Sequence, residues 1–496
     1  MKSIFKATAI LSGGSFVTIV VGLASAKVMA LVLRPAGYGY YGLLQSFLAV
    51  TTLVAGMGIM TGLVRLGAGP IASHDEATIS SLRKASWWLF CGLGGVALLV
   101  LAALRAPISQ WALGTPDQST IIVLMGIALL FTIAGQIQSG TLNAYHRVKA
   151  LAQCAVASSI LSATVSITCI LLWRTHGVVP AVIGGSAVGF LVATHFLRRE
   201  VGPVRARPNR REILKATRSL LHFGGPYTAS MLIGSGVQLA LPMIVLHLID
   251  TESVGYYKAA AAVSVGYLGF LVLAMGQDYY PRVSAVKDQP TALVKLINEQ
   301  HRLVMILAVP MILVTLALVP YLIPIVYSSK FAPAVAILEW QLIGDIFKFS
   351  SWTMAYVILA RCSSWTYFLT ESLGGVVAIA TTWLSVRWFG LPGLGISFLV
   401  TYIIYYSIVW VIIRRDIPLV WTTANKKMML AAIAAAILIR ILPSTAFAHF
   451  RTPIALLLAL GAGIPSLIVI WREFARERQA ESGVILNSQG EATLTP

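Results

Sequence analysis

The chain has 496 residues, of which 57% are hydrophobic and only 11% charged. Soluble globular chains carry roughly 25% charged residues, so the polar surface here is too small to cover a water-soluble body, and the chain belongs in a bilayer. A net charge of +19 would suggest nucleic acid in a soluble protein, but a positive-inside bias of loop charge explains most of it and no nucleic-acid module is needed.

About fourteen apolar runs reach the length of a spanning helix, roughly 20 residues each. The short alternating segments of a strand barrel are absent, so the expected fold is an all-α polytopic membrane protein. The first run follows Lys2 and Lys6 and continues through Leu33. It is too long for a cleaved signal core of about 7 to 15 residues and reads as a retained anchor. Six spans fill a first lobe, residues 1–200. Next comes a basic stretch with eight lysines and arginines from Arg198 to Arg218. Ile213, Leu214, Leu220 and Leu221 lie among those charges, so residues 201–221 are expected to form an amphipathic cytoplasmic linker lying against anionic lipid. A second six-helix lobe is expected over 222–416, an accessory helix pair over 417–478, and a disordered tail over 479–496.

The two lobes share a pattern. In the first, an Arg34-Pro35 turn leads to Gly39-Tyr40-Tyr41, then Met57-Gly58, then Arg65. About 216 residues later, Leu246 to Asp250 leads to Gly255-Tyr256-Tyr257, then Met275-Gly276, then Arg282. This is the signature of parallel repeats, and repeat interfaces are where transporters place substrate sites. Glycines and prolines such as Gly13, Gly22, Gly234, Pro226 and Pro310 can serve either as bending points for a rocking motion or as ordinary close-packing positions.

With the N-terminus placed in the cytoplasm, most of the 37 lysines and arginines fall on the inner side. Arg34, Arg105, Arg174, Lys330, Arg387, Arg440 and Arg451 fall outside, and Lys27, Lys258 and Lys348 lie within spans. The C-terminus then also falls in the cytoplasm. A charge at membrane depth costs at least about 2.5 kcal/mol, so it should face a wet cavity or a partner. Lys27 and Arg34 share one face of the first helix, although Lys27 can also snorkel to headgroups. In the tenth span Gln341, Asp345, Lys348 and Trp352 form a polar stripe. Asp345 and Lys348 can neutralise each other as an i, i+3 pair, or take a substrate or proton role, with Glu371 as a second partner. Arg65 and Arg282 end paired helices at the cytoplasmic side, as a gate or as positive-inside residues alone. Gln136 and Asn143 on the fourth span, and Tyr227 and Gln238 on the seventh, present amides and hydroxyls that can bond either sugar rings or neighbouring helices.

No P-loop, dinucleotide motif or metal-ligand cluster occurs, and GLGG at Gly92 to Gly95 lacks the lysine of a phosphate cradle. Cys91, Cys154, Cys169 and Cys362 show no CxxC spacing and read as packing residues. No catalytic residue, metal or cofactor is expected, and an enzyme is disfavoured because the outer loops are too short to enclose a site.

The segments KVMALVLRPAGYGYYGLLQS and GMGIMTGLVRLGA, with LLHFGGPYTAS, YYPRVSAV and LIPIVYSSKFAPAVAIL later, resemble the Wzx-type polysaccharide flippases of the multidrug/oligosaccharidyl-lipid/polysaccharide exporter superfamily. The resemblance runs to about residue 413 and rests on helix-packing signatures. It implies two pseudo-symmetric six-helix bundles in a V, in the bacterial inner membrane. They would move a polyprenyl-pyrophosphate-linked oligosaccharide to the outer leaflet by alternating access, for O-antigen, capsule or exopolysaccharide assembly. It also implies a cationic cavity, for which Lys27, Arg34, Lys258 and Lys348 are the positions on offer, with Gln136, Asn143, Tyr227, Gln238 and Gln341 as its polar wall. Members carry more arginines in the first helix than this chain does. With no nucleotide site, H+ or Na+ at Asp345 or Glu371 is the expected energy source, and a polymerase or co-polymerase of the pathway an expected partner. The rivals are an ion-coupled multidrug or cation exporter, which would want uncompensated carboxylates in its cavity, and a membrane polymerase or ligase of the same pathway.

Overall fold

The structure is a computed structural model, and it describes residues 2–202, 208–442, 453, 454 and 456–463. Of the second helix of the expected accessory pair only residues 453, 454 and 456–463 are described, and the tail lies entirely outside the described residues. The described residues are helical: α1 (Lys2–Gly56), α2 (Ile59–Ala72), α3 (Glu76–Leu89), α4 (Gly95–Ala103), α5 (Arg105–Leu113), α6 (Ser119–Ala144), α7 (Val148–Trp173), α8 (Val178–Glu200), α9 (Arg210–Leu248), α10 (Thr251–Ala274), α11 (Tyr280–Ala285), α12 (Pro290–Val326), α13 (Ala334–Arg361), α14 (Ser364–Phe389), α15 (Gly393–Asp416) and α16 (Thr423–Ile441). Among them are nine stretches long and apolar enough to cross a membrane, and the chain is a multi-pass membrane protein. Two of the nine, Gly13–Gly56 and Val148–Glu200, are themselves interrupted, at Arg34 and at the 3-10 turn Arg174–Gly177.

The break in α1 is the one its sequence anticipates. Pro35 removes a backbone donor and disfavours α geometry in the residue before it, and Arg34 takes φ 59° and ψ 179° inside an otherwise continuous helix. A non-glycine residue there costs on the order of 1–3 kcal/mol, which the surrounding packing must hold. A second break falls at Met57 and Gly58, both at positive φ, and its repeat counterpart Met275–Tyr279 forms a π-helical turn.

One expectation is corrected. Residues 210–221 are not a separate surface helix but the first turns of α9, which runs unbroken for 39 residues. An Asn209/Glu212 capping box starts it, satisfying orphan amides reciprocally. Pro226 does not break it. At about 1.5 Å per residue α9 is roughly 58 Å long, about twice the hydrocarbon thickness, so its basic first turns can stand outside the apolar layer. α3 opens a second apolar stretch, Glu76–Ala103, just after Asp75. Asp75 caps it by accepting from Thr78, and those bonds hold its carboxyl below the ordinary range.

The helices form two compact units that are not contiguous in sequence. The first takes in the described residues up to Gly266, with Ile323–Ile337 and Phe368–Ser397. At its centre α6 packs on α8, α8 on α7 and α7 on α1, while α9 packs on α1 and α3. Ile122, Met125, Leu129 and Ile133 on α6 are fully buried. The second takes in Tyr267–Leu322, Leu338–Tyr367 and the described residues from Phe398 onward. Ile312, Leu316, Ile346 and Phe349 form its core. Asn298 holds the α15–α16 connection by donating to the Val420 carbonyl and accepting from the Thr422 amide. α16 is tied in by an Arg440–Glu339 ion pair at 3.0 Å, with Glu339 almost fully buried.

Candidate functional site

The two Gly-Tyr-Tyr repeats meet inside the first unit. A methyl group on Gly39 would lie 2.6 Å from the Gly255 amide nitrogen and collide with the Thr251 carbonyl, and one on Gly255 would collide with the Pro35 carbonyl. The second half of α1 and the start of α10 therefore cross backbone to backbone at the two repeat glycines, a contact only glycine permits.

Three residues past each glycine the repeats differ, with Gly42 in one and Lys258 in the other. These two positions also touch. A methyl group on Gly42 would fall 2.8 Å from Lys258 Cγ and 3.3 Å from Cδ, so the lysine stem lies in the space that Gly42 leaves. One turn further along α1, Ser46 Oγ accepts from the Lys258 ammonium at 2.6 Å. No carboxylate among the described residues pairs with Lys258. Its cation borders a cavity of about 400 Å³ with Tyr41, Gln45, Ser46, Ser235 and Gln238.

Two further cavities share the Gln45 wall. One of about 490 Å³ includes Thr52, Thr61, Gln136 and Tyr227. The other, about 590 Å³, runs between α6, α7 and α8 past Thr132, Gln136, Ser139, Ser158 and Ser162. Each falls in the size range of small-ligand sites, about 300–1,000 Å³. Among the described residues that line the three, Lys258 is the one charged side chain. Of the residues expected from sequence, the structure thus brings together Lys258, Gln136, Tyr227 and Gln238.

The others stand elsewhere. Lys27 donates to the Ile325 and Pro324 carbonyls at 2.7 and 3.3 Å, at the C-terminal end of α12. A cation there complements the helix dipole, by about 0.3–1 kcal/mol or up to about 2 where partly buried. Arg34 is exposed at the α1 break, and Asn143 borders none of the three cavities. In the second unit, Lys348 pairs with Asp345 at 3.4 Å, both buried, and its ammonium also faces the Trp352, Phe398 and Tyr402 rings. Gln341 is buried with its Oε1 unpartnered. Arg282 pairs with Asp278 on the surface, and Arg65 is exposed over the Phe223 ring. Glu371, on α14, is half-buried in the first unit.

Sequence reasoning missed Gln45, Ser46 and Ser235, each a common polar residue in an apolar run with nothing local to mark it. It also missed the aromatic cluster in which Tyr38 packs edge-on against Tyr327 and Phe331. The Gly42/Lys258 exchange was readable as the first mismatch after the aligned knuckles.

A cation set in a neutral polar hollow suits an anionic ligand with an uncharged polar part. Residues 28–336 match the model of a family described as polysaccharide biosynthesis proteins. The chain belongs to that family. This polysaccharide biosynthesis protein is 23% identical over 420 residues to the lipid III flippase of Escherichia coli (strain K12), covering 82% of the chain and 97% of the relative. It is 22% identical to a putative O-antigen transporter of Shigella flexneri, covering 77% and 91%. Among solved structures it superimposes on the inward closed conformation of the lipid II flippase MurJ with a TM-score of 0.69, at 14% identity, covering 94% and 100% of the two chains. It also superimposes on an inward-facing multidrug resistance MATE family transporter of the MOP superfamily, with a TM-score of 0.65, 16% identity, and 83% and 96% covered. These structural likenesses speak to fold.

Proposed function

We propose that this chain is a flippase that carries a polyprenyl-pyrophosphate-linked oligosaccharide from the inner to the outer leaflet of the cytoplasmic membrane, for surface polysaccharide assembly. The observation that carries the reading is Lys258, a part-buried cation with no carboxylate partner among the described residues, at the crossing of the two repeats and on the wall of a cavity with amides and hydroxyls. A lipid-linked glycan has an acyl tail, an anionic bridge and a polar headgroup. Lys258 takes the anionic bridge, and the amides and hydroxyls around Gln45, Gln136 and Gln238 take the headgroup. The curated relatives support the reading, being a lipid III flippase and a putative O-antigen transporter. A cation exporter on the same fold is disfavoured by the lining of the three cavities, which holds no acidic residue among those described.

The finer architecture follows from the same reading. About fourteen spans form two six-helix lobes in a V, which open alternately inward and outward. The first lobe covers residues 1–200 and the second 222–416, with an accessory pair following and both termini in the cytoplasm. Asp345 and Glu371 are the candidates for a coupling H+ or Na+, Arg65 and Arg282 for the cytoplasmic gate, and a polymerase or co-polymerase of the pathway for a partner. Lys27 ties α1 to the end of α12 within the unit that presents Lys258, and no step of transport requires an enzyme activity.

The test is complementation of a strain lacking the gene. Lys258→Ala at normal expression should abolish surface glycan and leave lipid-linked units on the inner leaflet. Wild-type glycan output would remove Lys258 from the site and the reading with it.

A further inference from the structure

The lining of the three cavities says more than that the ligand is anionic. They share Gln45, and beyond the Lys258 ammonium the described walls are uncharged. The limb between α6, α7 and α8, which shares Tyr41 and Gln45 with the Lys258 cavity, is walled by neutral hydroxyls and amides. Thr132 donates to the Ala128 carbonyl at 2.8 Å, and Ser162 to the Gly185 carbonyl at 2.9 Å. These two hydroxyls still offer lone pairs, while those of Ser186 and Tyr41, which accept from Thr132 and Gln45, keep a proton to give, so the wall both accepts and donates. Gln136, on the wall shared by the two larger cavities, makes no side-chain hydrogen bond to any described residue, leaving its carbonyl and NH2 for a ligand. Sugar hydroxyls donate and accept, and such a wall serves them. A carboxylate is different, because it would meet no cation among the described residues of this limb, and a charge taken out of water without a counter-charge is costly. The one cation is already used on the phosphate bridge.

We propose that the limb around Gln136 is the headgroup subsite and that it selects uncharged sugars, so that this chain moves lipid carriers bearing neutral rather than uronate or phosphorylated glycans at the sugar next to the bridge. The assignment rests on the flippase reading and adds the chemical class of its cargo.

The purified full chain in detergent micelles tests it with two prenyl pyrophosphates that differ only at C6 of the attached sugar, one carrying glucose and the other glucuronic acid. Binding is read by calorimetry. The glucose lipid should bind at least tenfold tighter. Equal affinity, or tighter binding of the glucuronate, would overturn the selectivity while leaving the flippase reading intact. Failure of both lipids to bind would overturn the flippase reading and this proposal together. Gln136→Lys, which places a second cation in the limb, should narrow the glucose preference at least threefold. A folded variant with wild-type selectivity would overturn the assignment of the headgroup to this limb.

Discussion

Lys258 depends on two neighbours for its placement, Gly42 under its stem and Ser46 at its ammonium. Gly42→Ala puts a methyl 2.8 Å from Lys258 Cγ, so the stem must shift and carry the cation with it. Loss of transport from this variant should approach that of Lys258→Ala while the protein still accumulates in the membrane, and Ser46→Ala should lose less because the serine only orients. Quantifying surface glycan against expression separates these outcomes. Lys348 makes the opposite prediction, because its carboxylate partner Asp345 is completely buried. Lys348→Ala removes that carboxylate's cation and should cost on the order of 3–5 kcal/mol of stability, whereas replacing both residues with apolar side chains of similar volume should recover much of it. Thermal unfolding in detergent reads the difference. The three lysines were legible in the sequence as charges at membrane depth, but not their separate fates. Lys27 meets carbonyls 297 and 298 residues away, and no local pattern carries that information.

Helix breaks and helix crossings were legible to different degrees. The break at Arg34 was readable because proline acts on its immediate neighbour, and the repeat glycines were readable because two aligned knuckles each kept one. That the knuckles touch each other is a tertiary fact, visible only once the backbones are seen to leave no room for a Cβ. Gly39→Ala or Gly255→Ala should therefore loosen the crossing, destabilising the protein by about 1–3 kcal/mol as overpacking does. A conservative change at Gly92, where a Cβ meets nothing within 4 Å, should be silent in the same unfolding measurement. The continuity of α9 was missed for a physical reason. Charge and apolar spacing suggest a surface helix over its first turns, yet nothing in a Gly224-Gly225-Pro226 stretch forces a stop when flanking helices supply the packing, as α1 and α3 do.

Across the whole molecule, composition alone fixed the solvent and hydropathic runs fixed the helical class, since a lipid-embedded backbone must satisfy its own hydrogen bonds. The family and the cavity needed more, because the site draws on α1, α6, α9 and α10; Tyr41 and Lys258, which line one cavity, are 217 positions apart in the chain and come together only in the fold. The account stands on one function for that cavity, passage of an anionic lipid-linked glycan through the bilayer. The most direct measurement reconstitutes the purified chain in vesicles carrying a fluorescent prenyl-pyrophosphate glycan and follows its exchange between leaflets by quenching from one side. The account predicts exchange at least tenfold faster than in protein-free vesicles, returned to the protein-free rate by Lys258→Ala. Exchange no faster than in protein-free vesicles, or equally fast with Lys258→Ala, would contradict it.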